Sequence, residues 1–181
     1  EYPWLSYRDP LGARRPIPGK GPEDRTLLLE VKVQSLGLDR KTNTPVIILQ
    51  EVGGDRVLPI WIGPSEARAI AIHMADWTFS RPLTHDLFSD VLKAFGATVK
   101  RVLIVKVEND VFYARLFIEA ENEIQEKMIV ELDARPSDSI ALAVRAKAPI
   151  FVVKEVWEEL KDMTGVLEEL RDKGMEMEGP E

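Results

Sequence analysis

Twice in this chain a β-prone apolar run breaks at Pro-Ser-acid and resumes with helical spacing. Residues 58–71 read LPIWIGPSEARAIA, and residues 128–145 read MIVELDARPSDSIALAVR. Proline pushes the residue before it into extended geometry and suits the first turn of a helix. Each junction is therefore a strand-to-helix turn. Ser65 and Ser137 read as N-caps, and Glu66 and Asp138 fall beside the positive end of the helix dipole. The match between GPSEARAIA and RPSDSIALA fits an internal duplication of one strand-turn-helix unit. A chain with two such junctions must lay helices on a sheet.

The remaining pattern fills in that sheet. Residues 27–33, 45–51 and 57–62 read as strands, with a polar turn at 39–44 and a Gly-Gly-Asp hairpin signal at 53–55. Helices are expected over 66–77, with Ile70 and Met74 at helical spacing, and over 84–95. The second of these puts Leu87, Phe88, Val91, Leu92 and Phe95 on one face and stops at Gly96. A second hairpin joins 98–107 to 111–119 through Glu108-Asn109-Asp110. A strand at 128–132, a helix to about 147, a strand at 150–153 and a last core helix over 154–162 follow. Hairpins mixed with strand-to-helix turns predict a single compact α+β domain, a mixed β-sheet with packed helices, over residues 27–160.

Residues 1–26 carry five prolines and three glycines and read as an extended arm. Residues 161–181 form an acidic extension, for which a short amphipathic helix or a disordered end suffices. The chain has no cysteine and two histidines, His73 and His85, which excludes thiolate zinc sites, cysteine nucleophiles and multi-histidine cages. Apolar stretches such as Val46-Ile47-Ile48-Leu49 fall far short of a membrane span. No signal-type segment opens the sequence, whose first residue is Glu, and a cytoplasmic location is expected. The net charge is −7, and residues 154–181, with four basic and ten acidic groups, hold most of it. A broad basic nucleic-acid face is disfavoured, but a local groove in the centre of the chain is compatible with it.

Cap and dipole roles leave part of the polar turns unexplained. Asp133 and Arg135 stand at the C-terminal end of a strand, the edge where open sheets commonly place ligands. A second polar turn, RPLTHD at 81–86, sets His85 and Asp86 in the first turn of a helix with Thr84 as the expected N-cap. The positive helix end disfavours imidazolium, so a neutral His85 suits a general base, a metal ligand or a hydrogen-bonding group. His73 lies in an apolar helix and reads as structural. Brought together, Arg81, His85, Asp86, Asp133, Arg135, Asp138 and Glu66 would suit phosphodiester chemistry. Carboxylates hold Mg²⁺ or Mn²⁺, arginine forks bind phosphate oxygens, and a histidine moves a proton. The same residues would equally suit a non-catalytic salt-bridge network.

Several separated stretches carry a resemblance. LPIWIGPSEARAIA (58–71), RPLTHDLF (81–88), VFYARL (111–116), DARPSDSIALAVR (133–145) and APIFV (148–152) resemble the bifunctional nuclease domain family, in order and across roughly residues 27–160. The resemblance implies a compact α+β domain and RNase and DNase activity, as associated with plant members. It marks Glu66, Arg81, His85, Asp86, Asp133, Arg135, Ser137 and Asp138 as site positions. On this reading His85, Asp86, Asp133, Asp138 and Glu66 are catalytic, Arg81, Arg135 and Ser137 bind substrate, and Asp133 and Asp138 hold Mg²⁺ or Mn²⁺. Ser139 stands where the family often has alanine, and residues 161–181 do not look like the helical UVR motif of many bacterial relatives.

Two functions are therefore expected to compete. One is a metal-assisted nuclease acting on RNA or DNA. The other is a non-catalytic oligomeric binding or regulatory module whose polar cluster is an ion-pair network. A symmetric homo-oligomer, with a dimer favoured, suits either.

Overall fold

The computed structural model describes residues 28–39, 41–121, 127–159 and 176–178. The N-terminal arm, most of the acidic extension and residues 160–162 of the last expected helix lie outside them. A meander of three antiparallel strands comes first: β1 (Leu28–Asp39), β2 (Thr44–Glu51) and β3 (Val57–Trp61). Helices α1 (Pro64–Met74) and α2 (Thr84–Ala94) follow. A second antiparallel meander, β4 (Ala97–Glu108), β5 (Val111–Glu121) and β6 (Lys127–Ala134), leads into α3 (Pro136–Ala146). The short β7 (Ile150–Val153) then enters between the two meanders, antiparallel to β1 and parallel to β4. After it come α4 (Lys154–Glu159) and β8 (Glu176–Glu178). The sheet order is β3-β2-β1-β7-β4-β5-β6, a mixed sheet of the expected α+β class.

Each half of the domain is thus three strands in a meander followed by an eleven-residue helix that opens on proline. The short echo between residues 63–71 and 135–143 extends to the whole element order. Strands β3 and β6, which feed the two helices, form opposite edges of the sheet.

One strand runs longer than its pattern announces. β1 continues to Asp39 instead of stopping near Val33, because a register shift between Val33 and Ser35 breaks the two-residue alternation without ending the pairing. Asp39 then closes the turn: its Oδ1 accepts from the Lys41 backbone N–H at 3.0 Å and its Oδ2 from Trp61 Nε1 at 3.2 Å. The acidic extension also differs from expectation. Glu176–Glu178 form a strand that pairs with Leu36–Leu38 of β1, beyond the reach of β7.

The core lies between the sheet and the helices. Ile47, Leu49, Leu58 and Ile60 of the first meander and Val102, Ile104, Leu116 and Ile118 of the second meet Ile70 of α1 and Ile140, Ala141 and Ala143 of α3. Val156 and Trp157 bring α4 into the same cluster. Alternate residues Val46, Ile48, Leu103 and Phe117 point to the other face of the sheet and are also buried. A sheet apolar on both faces explains why β2 reads as a continuous apolar run. Ile47, Leu49, Ile104 and Ile140 are wholly buried, and each such side chain stabilises the fold by about 1.5–3 kcal/mol.

The helices differ in how they use this core. α3 buries most of its length, whereas no residue of α2 is fully buried. Of the apolar face read on α2, only Leu92 packs against the core; Leu87, Phe88, Val91 and Phe95 point to solvent. Gly96, at φ 65°, ends α2 as read, while α3 ends on Lys147 in the left-handed region. Among the described residues no helix is long and apolar enough to cross a membrane.

Candidate functional site

In both Pro-Ser-acid junctions the N-cap lies two residues earlier than a serine cap would place it. Gly63 and Arg135 are the N-caps, and proline takes the first helical position. Neither helix has a side-chain cap, so the serines move to the second position and the acids to the third. Ser137, expected to bind substrate, is only 6% exposed. Thr84 shifts likewise: Leu83 is the N-cap of α2, and His85 is the second residue of the helix.

This placement gathers four of the expected residues. Arg135 reaches across from the start of α3 to Glu66 on α1, Nη2 to Oε1, at 2.7 Å. The same guanidinium grips Asp138 with two bonds, Nε to Oδ2 at 2.8 Å and Nη2 to Oδ1 at 3.2 Å. The Nε2 of His85 lies 3.5 Å from Asp138 Oδ1. Glu66, His85 and Asp138 thus come from the first turns of three different helices; Glu66 and Asp138 both pair with Arg135, and His85 meets Asp138. Glu66 and His85 are largely covered, while Arg135 is 67% exposed and presents its outer edge to solvent. Asp138 first, and then Glu66, hold the Arg135 pKa above its usual value through these bonds.

Gly63 makes room for the arrangement. A Cβ at this position would lie 2.3 Å from Glu66 Oε2, so the carboxylate folds back over the glycine in space that no other residue leaves free.

Asp86 belongs to a neighbouring network with a different purpose. Its Oδ1 pairs with Arg145 Nε at 2.7 Å, and its Oδ2 accepts from the Leu83 backbone N–H at 3.0 Å. Arg145 also donates to the carbonyls of Ala141 and Ala69, at 2.9 and 3.0 Å. One buried guanidinium therefore ties α2, α3 and α1 together, and Asp86 holds it in place. The hydrogen bond from Arg145 is the main reason that the Asp86 carboxyl sits below its usual range, with burial acting against it and the Leu83 N–H in support. His73, read as structural, donates Nε2–H to the Val144 carbonyl at 3.1 Å and adds a second α1–α3 tie.

Asp133 does not join the cluster. It pairs with Arg115 on β5, its register partner, and Arg115 also meets Glu131 at 3.3 Å. Leu132 and Ala134 pack toward the core, so the pleat turns Asp133 to the opposite side of the sheet from the helices. The expected carboxylate pair of Asp133 and Asp138 is thus not brought together. Arg81 is exposed on the connection between α1 and α2 and makes no ion pair among the described residues.

Three residues that shape these networks carry little signal in the sequence. Arg145 sits seven residues after Asp138, nearly the same helical phase, in an otherwise apolar helix, and that isolation was its only signal. Arg115 carried no signal without the strand register. Gly63 was visible only as half of a turn.

Comparison with known proteins gives the family of the chain. The family described as Bifunctional nuclease domain matches residues 47–164. An uncharacterized protein of Mycobacterium tuberculosis strain H37Rv is 42% identical over 127 residues, covering 70% of this chain and 73% of its own length. Bifunctional nuclease 1 of Arabidopsis thaliana is 31% identical over 111 residues, or 61% of this chain and 34% of its own. Bifunctional nuclease 1 of Oryza sativa subsp. japonica is 25% identical over 118 residues, or 65% and 35%. This chain therefore spans about a third of the length of the plant proteins. By the extent of the family match, by the Mycobacterium relative and by its motifs, the chain belongs to the bifunctional nuclease domain family.

Proposed function

We propose that this domain hydrolyses phosphodiester bonds in RNA, DNA or both, at the cluster formed by Glu66, His85, Arg135 and Asp138. The observation that carries the reading is that Glu66 and Asp138, from two helices, share one solvent-facing guanidinium while His85, from a third, stands against Asp138. Helix N-termini favour anions, and the exposed edge of Arg135 matches a phosphate oxygen. His85 is the group that moves the proton, taking it from the attacking water or giving it to the leaving oxygen. Asp138, next to its Nε2, orients the ring and balances the charge that the ring acquires.

Mg²⁺ or Mn²⁺ is part of the proposal. Among the described residues no three acidic or imidazole side chains form a ready cage. Mg²⁺ does not require one, since it keeps several waters and uses one or two carboxylates plus substrate phosphates. Glu66 and Asp138, sharing one guanidinium, are the carboxylates that would hold it, and it would supply charge neutralisation at the phosphate.

A specific observation favours a second reading for part of the cluster. Asp86 and Asp133 are both engaged in ion pairs that bind elements together. A non-catalytic binding or regulatory module would extend that role to Arg135.

The test is cleavage of labelled single-stranded RNA and DNA by purified protein with Mg²⁺, Mn²⁺ or EDTA, beside Asp138→Asn and His85→Gln variants. Loss of cleavage by roughly 10²-fold or more in folded variants is expected for a general acid–base pair. Equal cleavage by wild type and variants would overturn the assignment of the site. No cleavage under any condition would favour the binding module.

A further inference from the structure

The two ends of the sheet are finished differently. β3 is five residues long with Pro59 at its centre, and a proline interrupts the row of donors that a further strand would need. β6, at the other end, runs for eight residues without proline or glycine. Its register with β5 is unbroken from Lys127 to Ala134, whereas β1 and β4 both carry bulges. Met128 is 40% exposed on it and Ile129 54%. Among the described residues no strand pairs with its outer side. A long, regular edge of this kind is a template for another strand.

We infer that β6 pairs with β6 of a second copy of this chain, antiparallel about a two-fold axis at Val130, so that two sheets become one. Self-complementarity selects the occupant. The strand reads KMIVELDA, and reversed about Val130 it matches itself. Lys127 falls opposite Asp133 of the second copy, Met128 opposite Leu132, and Ile129 opposite Glu131. Neither neighbouring axis does as well. At Glu131 two glutamates face each other. At Ile129 the lysine meets Glu131, but Leu132 and Asp133 fall beyond the paired stretch.

Charges already in place continue across the junction. Lys100, Glu119 and Lys127 alternate over β4, β5 and β6, with both gaps at 3.5 Å. Asp133 pairs with Arg115 in the same way at the other end of β6. The axis at Val130 sets Lys127 beside Asp133 of the second copy, so signs alternate from Lys100 of one copy to Arg115 of the other. Asp133 thereby gains a role outside the helix-side cluster. A strand from an unrelated protein would make the same backbone bonds without this order of charge, and a nucleic acid would meet two acids and one base on β6. The two-fold axis stands perpendicular to the joined sheet. The helices of both copies therefore lie on one side of it, together with both Glu66–Arg135–Asp138 clusters.

The test uses the full chain in sedimentation equilibrium at about 100 μM, which populates the weaker complexes that small interfaces form. It reads mass and is independent of any cleavage. Wild type is expected at the mass of two chains. Lys127→Glu sets acid against acid across the junction and Asp133→Lys sets base against base, so each alone should weaken the dimer at least tenfold. The side chains replaced are 63% and 49% exposed, and the far-UV spectra should not change. Mixed together, the two variants should form a heterodimer, since both junction pairs are then of opposite sign. The chain has no cysteine, so single cysteines read the register. Val130→Cys should give a disulfide-linked dimer on mild oxidation. Ile129→Cys should not, because its two copies stand roughly 7 Å apart along the strand. A monomeric wild type would overturn the inference, and so would two variants that each dimerise as tightly as wild type. Cross-linking through Ile129→Cys and not Val130→Cys would overturn the register.

Discussion

The side chains of Arg145 and Asp86 meet at 2.7 Å across the α2–α3 contact, with Arg145 only 6% exposed and two of its other donors bonded to the carbonyls of Ala69 and Ala141. Removing the acid would leave a buried guanidinium one bond short. A fully buried pair broken this way costs about 3–5 kcal/mol. Asp86 is 37% exposed, so water can partly replace it. Asp86→Ala should therefore destabilise by about 2–3 kcal/mol, read by urea denaturation at neutral pH. A loss below about 0.5 kcal/mol would show that Arg145 is satisfied without its partner.

The same pair sets a pH dependence. The Asp86 carboxyl is held below its usual 3.8, chiefly by the Arg145 hydrogen bond. A depressed carboxyl contributes stability that is present above its unfolded value and is lost as pH falls through the folded one. Wild type should thus lose stability below about pH 4, and the difference between wild type and Asp86→Asn should shrink as the pH drops toward 2.5. Denaturation curves in steps over that range decide it; a constant difference would sink the linkage.

Asp133 and Asp138 are separable by mutation. Asp138 faces His85 and Arg135, whereas Asp133 lies in a ladder with Arg115 on the far side of the sheet. If the domain cleaves nucleic acid, Asp138→Asn should abolish turnover, while Asp133→Asn should change it less than about threefold and cost roughly 0.2–1 kcal/mol of stability, as exposed pairs do. Equal loss in both variants would place Asp133 in the site after all.

Gly63→Ala tests the space behind Glu66. A methyl group there meets the carboxylate of Glu66, the mobile end of a side chain, rather than any backbone atom. The φ of −72° suits alanine, so stability should change by less than about 1 kcal/mol. Glu66 must swing away from Arg135, and the variant should show the same cleavage defect as Glu66→Gln. An alanine variant as active as wild type would mean that the Glu66–Arg135 pair is dispensable.

Lys147→Gly should stabilise the protein. Lys147 ends α3 at φ 51°, a conformation that costs a side-chain-bearing residue about 1 kcal/mol and glycine almost nothing. A rise of about 0.5–1 kcal/mol is expected, and thermal melts of the two proteins suffice to check it.

Much of this architecture is legible in the residues. Turn chemistry marks both meanders and both Pro-opened helices, since proline and Gly-Gly-Asp act locally and need no partner. β1 reads short because a bulge at Val33–Ser35 breaks the alternation on which strand reading depends. The serines read as caps, and the structure differs for a related local reason: a proline that itself begins the helix displaces the cap by two positions. The composition of the cluster was visible, but its membership was not. Asp133 and Arg135 are two residues apart, yet one stays on the pleat and the other has left it, and only the register with β5 fixes which way the first points. The outward turn of the α2 stripe was hidden for the opposite reason, since an amphipathic pattern shows that a helix has an apolar face and is silent on what covers it.

The repeated meander-plus-helix plan has one more implication. Gly63, Pro64, Ser65 and Glu66 stand in the first half where Arg135, Pro136, Ser137 and Asp138 stand in the second. Glu66 and Asp138 are therefore counterparts, and a single cation lies between two equivalent acids. The halves differ where it matters, at the cap. Arginine at both caps would crowd two cations into one gap, and glycine at both would leave the two acids facing each other with nothing between them. The centre of charge arises from broken symmetry, one half giving up a side chain so that the other half's can reach across.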